Sequence, residues 1–213
     1  MNLYIYPSKV MDRMQVNPTL DGVQEVIASA IEGAQLHIES VLDSKLTIQA
    51  YTDTFFLDSE AFSGIQPGGL FRLQLSSGFL RSGAAFTITS AASWNMVDAV
   101  SVDTSLYSVD LVRGLIYIDA SAYSEKYVRV AFTAGFTPII LANDATQLPA
   151  AEALDWLQES ILSYVPIIFD VSQTTNRNAE AEAQYRRAGD HAMAILAPYM
   201  RNSKGFTFRP LGA

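Results

Sequence analysis

Cysteine is absent, so the chain has no disulfide, no thiolate nucleophile and no zinc–sulfur site. Positive charge is scarce. Fourteen Lys and Arg stand against 22 Asp and Glu, a formal net charge of −8, and charged residues of all kinds reach only 17%. Proteins that grip nucleic acid usually carry a basic surface, because phosphate neutralisation supplies most of the affinity. This chain repels phosphate on average, which argues against direct DNA binding but permits contact without adhesion. The charged fraction is below the roughly 25% usual for soluble domains, a hint that partners cover part of the surface. No apolar run reaches the roughly 18 residues of a membrane span. Met1 to Val10 lacks the charged-then-apolar pattern of a signal peptide, and the glycosylation triplet Asn17-Pro18-Thr19 is blocked by its proline. A soluble, unexported protein is expected.

Catalytic signatures are also missing. The two histidines, His37 and His191, stand in no metal-like spacing, and ordinary structural or surface roles are expected of both. No Gly-x-Ser-x-Gly elbow occurs; Ser77-Gly78 and Ser82-Gly83 read as strand-end turns. No glycine-rich phosphate loop runs into Lys-Ser/Thr, and Gly68-Gly69 precedes a strand rather than a helix. Asp98, Asp103 and Asp110 could meet in space as paired carboxylates, but solvated loop acids are the expectation. Tyr51, Phe55, Phe56, Phe62, Phe71 and Phe79 could line a sugar platform; such residues more often fill a β core. Trp156 is expected to pack between helices. No catalytic residue, cofactor or metal is assigned.

What is present is a chain of 213 residues, 49% apolar, enough for one domain with a core. Residues 1–20 read as an extended arm punctuated by Pro7 and Pro18. Residues 21–43 read as an amphipathic helix, because Val23, Ile27, Ala30, Ile31, Ala34, Ile38, Val41 and Leu42 recur at three- and four-residue steps. Residues 46–140 switch to alternation. Phe71, Leu73 and Leu75 flank Arg72 and Gln74, and Phe86 and Ile88 alternate with Thr87 and Thr89. Val128, Val130 and Phe132 do the same with polar neighbours. Leu106–Val109 and Leu115–Ile118 flank Asp110 to Gly114, a glycine-closed hairpin. After a polar loop, Pro149 opens a helix over 149–170 with the stripe Ala153, Leu154, Leu157, Ile161, Leu162 and Val165; Pro166 should end or kink it. A third helix, 178–200, carries a narrow seam of Ala181, Tyr185, Ala188, Ala192, Ile195 and Tyr199. The expected fold is α+β: a bundle of three main helices over 21–200, with an antiparallel β-meander inserted between the first and second, and a tail over 201–213.

Charge falls in blocks. Residues 21–43 hold Asp21, Glu25, Glu32, Glu39 and Asp43 and no Lys or Arg, whereas the tail holds Arg201, Lys204 and Arg209 and no acid. Two solvated segments would explain this. The sharper reading has the tail of one subunit reach a neighbour or another acidic partner, with Arg201, Lys204, Phe206, Phe208 and Arg209 as interface residues.

One stretch has a wider likeness. Val128-Arg129-Val130-Ala131-Phe132-Thr133-Ala134-Gly135-Phe136-Thr137-Pro138, then a polar loop, then Leu148-Pro149 opening a helix, resembles the head–tail connector (adaptor) proteins of tailed bacteriophages. The hairpin around Asp110 to Gly114 and the helix Val23 to Leu42 are similar to theirs in the same order, so the likeness covers roughly residues 20–170. The longer β middle and Pro166 depart from the pattern. The resemblance implies a subunit of a homo-oligomeric ring, commonly of twelve copies, in the virion neck. Such a ring docks under the portal protein, receives a stopper or tail terminator, and lets DNA pass through. Assembly would take place in the host cytoplasm. Twelve copies at −8 carry about −96, which would help DNA slide if acids such as Glu32 and Glu39 face the lumen. The alternatives are a tail-completion protein that binds the tail tube and a carbohydrate-binding or hydrolytic module on the β region.

Overall fold

The computed structural model describes residues 3–19, 21–57, 69–81, 86–123, 126–138, 154–173 and 179–201. It divides into two compact units. One comprises Met1–Leu42 with Phe136–Met200, and the other Asp43–Gly135 with Arg201–Ala213.

The first unit is helical. Its opening segment is not the extended arm expected from its prolines, because Pro7–Met14 forms α1. Pro7 sits in the first turn, where its missing N–H costs nothing, and Gln15 turns left-handed (φ 55°) to close the helix. Leu3, Ile5, Val10 and Met11 are buried, so the segment belongs to the core. Helix α2, Val23–Leu42, buries Ile27, Ala30, Ile31, Ala34, Ile38 and Leu42, the stripe read from its spacing. Gln35 is buried within that stripe and is satisfied by the Tyr4 backbone N–H, which donates to its Oε1 at 3.0 Å.

The next long helix in this unit spans Asp155–Gln173, and a further one spans Ala179–Leu196. Anticipating the short helix of the other unit, we number them α4 and α5. Leu157, Ile161 and Val165 of α4 are fully or almost fully buried, and α4 packs on both α2 and α5. The expected start at Pro149 lies outside the described residues. Pro166 does not end α4; the helix runs through it. The proline withholds one N–H from the Leu162 carbonyl, but burial of Val165 and the flanking helices on either side outweigh that loss. On α5, Ala192 and Leu196 are buried and Tyr185, Ala188 and Ile195 half-buried, so the narrow seam faces its neighbour.

Among its described residues the second unit has seven strands: β1 Gln49–Phe56, β2 Leu70–Gln74, β3 Thr87–Ala91, β4 Val100–Ser101, β5 Tyr107–Asp110, β6 Leu115–Asp119 and β7 Tyr127–Ala134. A one-turn helix, α3 (Ala120–Tyr123), follows β6. The strands do not form a meander. They make two antiparallel sheets, ordered β1-β7-β3-β4 and β2-β6-β5. Only β3–β4 and β5–β6 join neighbours in sequence. The longest pairing is between the first and last strands, from Gln49↔Ala134 to Phe56↔Tyr127. The hairpin expected around Asp110 to Gly114 is present as β5–β6. The two sheets share a core of Phe55, Phe71, Leu73, Ile88, Ile116, Ile118, Val128, Val130 and Phe132. Every second residue of β7 is buried, so its alternation was a faithful signal.

Candidate functional site

A polar arrangement with four guanidinium hydrogen bonds surrounds Arg201, in the β unit. The segment after β2 lies close against the β5–β6 loop. Phe79 and Leu80 donate backbone N–H groups to the carbonyls of Val112 (2.9 Å) and Leu111 (2.8 Å), and Leu75 donates to Gly114 (2.9 Å). Gly78 leaves room for this approach, since a Cβ there would stand 2.6 Å from the Val112 carbonyl oxygen. Its N–H donates to Ser44 Oγ at 2.9 Å. Asp110 shapes the loop itself, accepting from the N–H groups of Val112 (3.1 Å) and Arg113 (3.0 Å).

The Arg201 guanidinium enters this junction. Its Nη1 donates to the carbonyls of Asp43 (2.7 Å) and Ser76 (3.2 Å), Nε donates to Arg113 (3.2 Å), and Nη2 donates to Leu75. The planar fork of donors suits several carbonyls at once. Only 2% of the side chain is exposed. The Asp43 carboxylate, 3.8 Å away, is largely in water and adds little. Asp53 on β1 is buried and accepts from the Ser76 N–H at 2.6 Å. Burial pushes its carboxyl above the ordinary value, and the Ser76 hydrogen bonds and the Arg201 charge pull back against that.

The charge blocks group Arg201 with the tail as an interface residue, whereas its guanidinium engages carbonyls of its own chain. Lys204, Phe206, Phe208 and Arg209 lie outside the described residues. Glu32 is exposed on α2 and Glu39 is half-buried. The junction had no sequence signal strong enough to reveal it: Ser77-Gly78 and Arg113-Gly114 read as two separate turns, and nothing local tied residue 201 to either.

The other candidates take structural roles. Phe55, Phe71 and Phe79 are buried; Phe62 lies outside the described residues. Tyr51 stacks on Phe132 at 5.2 Å. Asp103 caps a short 3-10 turn through Ser105, which lowers its pKa. His37 meets the Tyr164 ring edge-on at 4.6 Å, and the exposed His191 stands 3.9 Å from Glu159. Trp156 stacks on Tyr199 at 4.2 Å. Among the described residues no group of three His, Cys, Asp or Glu could hold a metal ion, and no helix is long and apolar enough to cross a membrane. Apolar side chains are exposed from the β3–β4 connection into the start of β4, where Trp94, Val97 and Val100 are 52%, 73% and 68% accessible.

The motif behind the connector likeness has a clear geometry. Strand β7 ends at Ala134, and Gly135 follows at φ +103°, outside the range L side chains favour. A Cβ on Gly135 would stand 2.5 Å from the Thr47 carbonyl oxygen and 2.8 Å from the Ile48 nitrogen. Phe136 then begins the return of the chain to the helical unit.

No protein-family model matches the chain, and no curated protein matches it. Solved structures do. The chain is similar to one from the neck of an empty gene transfer agent (GTA) particle computed with C6 symmetry, at 14% identity and a TM-score of 0.46, over 98% of this chain and 92% of that one. It is similar to a chain of the virion of the native GTA particle, at 14% identity and a TM-score of 0.47 over the same shares. A chain from the neck of the native GTA particle computed with C12 symmetry gives 15% identity and a TM-score of 0.42, over 100% of this chain and 97% of that one. At TM-scores below 0.5 these likenesses carry no argument about function.

Proposed function

We propose that the protein is a structural subunit of the neck of a tailed phage or phage-like particle, an adaptor whose copies form a ring between portal and tail. The observation that carries this reading is the ordered motif of the connector likeness together with its geometry. A helical chain is interrupted after α2 by a β unit, and the last strand of that unit leaves through the Ala134-Gly135-Phe136 turn toward two further packed helices. The motif glycine is sterically required where it stands, so the sequence pattern reports a real constraint on the backbone. The exposed apolar tip at Trp94, Val97 and Val100 also suits a protein that meets partners.

In this reading the ring is homo-oligomeric, commonly of twelve copies, and closes through head-to-tail contacts. It binds the portal protein on one side and a stopper or tail terminator on the other. The acidic, exposed Glu32 belongs to the face past which DNA slides without specific binding. The role is structural, without catalysis or cofactor, and its place is the virion neck.

The test is negative-stain electron microscopy of the purified protein over a concentration series, alone and mixed with the portal protein of the same particle. Rings with a central hole are expected in at least the mixture. Monomers under every condition, with no portal binding, would refute the adaptor reading.

A further inference from the structure

The geometry points to Arg201 as the closing residue of the β unit, so that this unit is completed only after both later helices of the helical unit have been made. The β unit is not a continuous insert. Among the described residues its strands lie within 49–134, yet the cation at its polar junction comes from residue 201, beyond α4 and α5. Three segments distant in sequence supply the carbonyls it binds: Asp43, Leu75 with Ser76, and Arg113.

The consequence is specific. A buried guanidinium with this many acceptors stabilises the parts it bridges, and without it the buried Leu75 carbonyl loses its charged donor while the part-buried carbonyls of Asp43, Ser76 and Arg113 are no longer held together. The amides that zip the post-β2 segment onto the β5–β6 loop, those of Gly78, Phe79 and Leu80, lie within the same junction. They should respond first. The inference holds whatever the chain assembles with.

The experiment compares the full chain with two truncated chains, one ending after Met200 and one ending after residue 203, by amide hydrogen exchange resolved to single residues. The chain ending after 203 is expected to protect Gly78, Phe79 and Leu80 to within about twofold of the full chain. The chain ending after 200 is expected to exchange them at least about tenfold faster. Equal exchange in the two truncations overturns the proposal: if both are protected, Arg201 is dispensable, and if both are unprotected, the tail beyond it is what matters. Arg201→Lys in the full chain separates the fork from a bare charge. It should speed exchange at the same amides by at least about threefold, because one ammonium cannot reach all four carbonyls. Exchange equal to the parent would overturn the part assigned to the guanidinium.

Discussion

Replacing Gly135 by alanine puts the motif geometry to a quantitative test. Two costs combine. An L residue in the left-handed region costs roughly 1–2 kcal/mol, and φ +103° lies beyond the favourable part of that region, toward the upper end of the cost. The added methyl would also stand 2.5 Å from the Thr47 carbonyl oxygen and 2.6 Å from its carbon, and both are main-chain atoms that no rotamer change can move. Overpacking of this kind typically costs about 1–3 kcal/mol. The sum is on the order of 2–5 kcal/mol, a large share of the roughly 5–15 kcal/mol that holds a domain folded. For a chain of this size, a loss of about 3 kcal/mol lowers the melting temperature by roughly 6–12 °C. Gly69 supplies the control. It too has positive φ (+66°), but a Cβ there meets nothing within 4 Å, so Gly69→Ala should lose only the backbone cost of about 1–2 kcal/mol. Urea unfolding of both variants, followed by circular dichroism, measures the difference. A Gly135→Ala variant no less stable than Gly69→Ala would refute the steric argument. So would full rescue by changing the Thr47 side chain, since the collision is with its backbone.

Three further outcomes are expected. Gly189→Ala on α5 should raise stability by about 0.5–1 kcal/mol, because the new methyl reaches Ile167 at an ordinary 4.0 Å and the helix gains a better former; a lower urea midpoint would contradict this. Pro166→Ala should add about 1–3 kcal/mol by restoring the N–H that the Leu162 carbonyl lacks, read from the same midpoint. Asp53 has a raised pKa in the folded state, so the native protein holds that proton more tightly than the unfolded chain. Its contribution is greatest below the ordinary value of 3.8, falls as pH rises through the raised folded value, and is level above it. Asp53→Asn, which keeps an acceptor for the Ser76 N–H, should therefore gain on the parent over the range in which pH rises from below 3.8 through the raised folded value. A constant difference across that range would show that Asp53 does not titrate as its burial dictates.

Legibility in the sequence followed the range of the interactions. The α2 stripe, the α5 seam and the alternation in β2 and β7 each arise from one segment facing one core, so periodicity alone exposed them. Helix α1 escaped because eight residues with only Val10 and Met11 buried offer too little pattern, and its prolines suggested extension. The meander failed for a different reason. Pairing Gln49 with Ala134 depends on two strands finding each other across nearly the whole β unit, and no local signal records such a choice. Pro166 misled because the penalty of a helical proline is local while the packing that offsets it is tertiary. Arg201 was the largest gap. A Lys/Arg-containing terminal segment reads as solvated, and burial of one of its cations depends on carbonyls from three distant places.

The backbone passes between the helical and the β unit three times, after Leu42, Gly135 and Met200, and neither unit holds a thiol. A pair of introduced cysteines is therefore the only pair of attachment points for thiol-directed dyes. One at the exposed Ser29 of α2 and one at the exposed Val97 of the β3–β4 tip would put a fluorescent donor on one unit and an acceptor on the other. Energy transfer between them would report how far the two units stand apart in a free subunit, and whether that spacing changes when subunits join a larger particle.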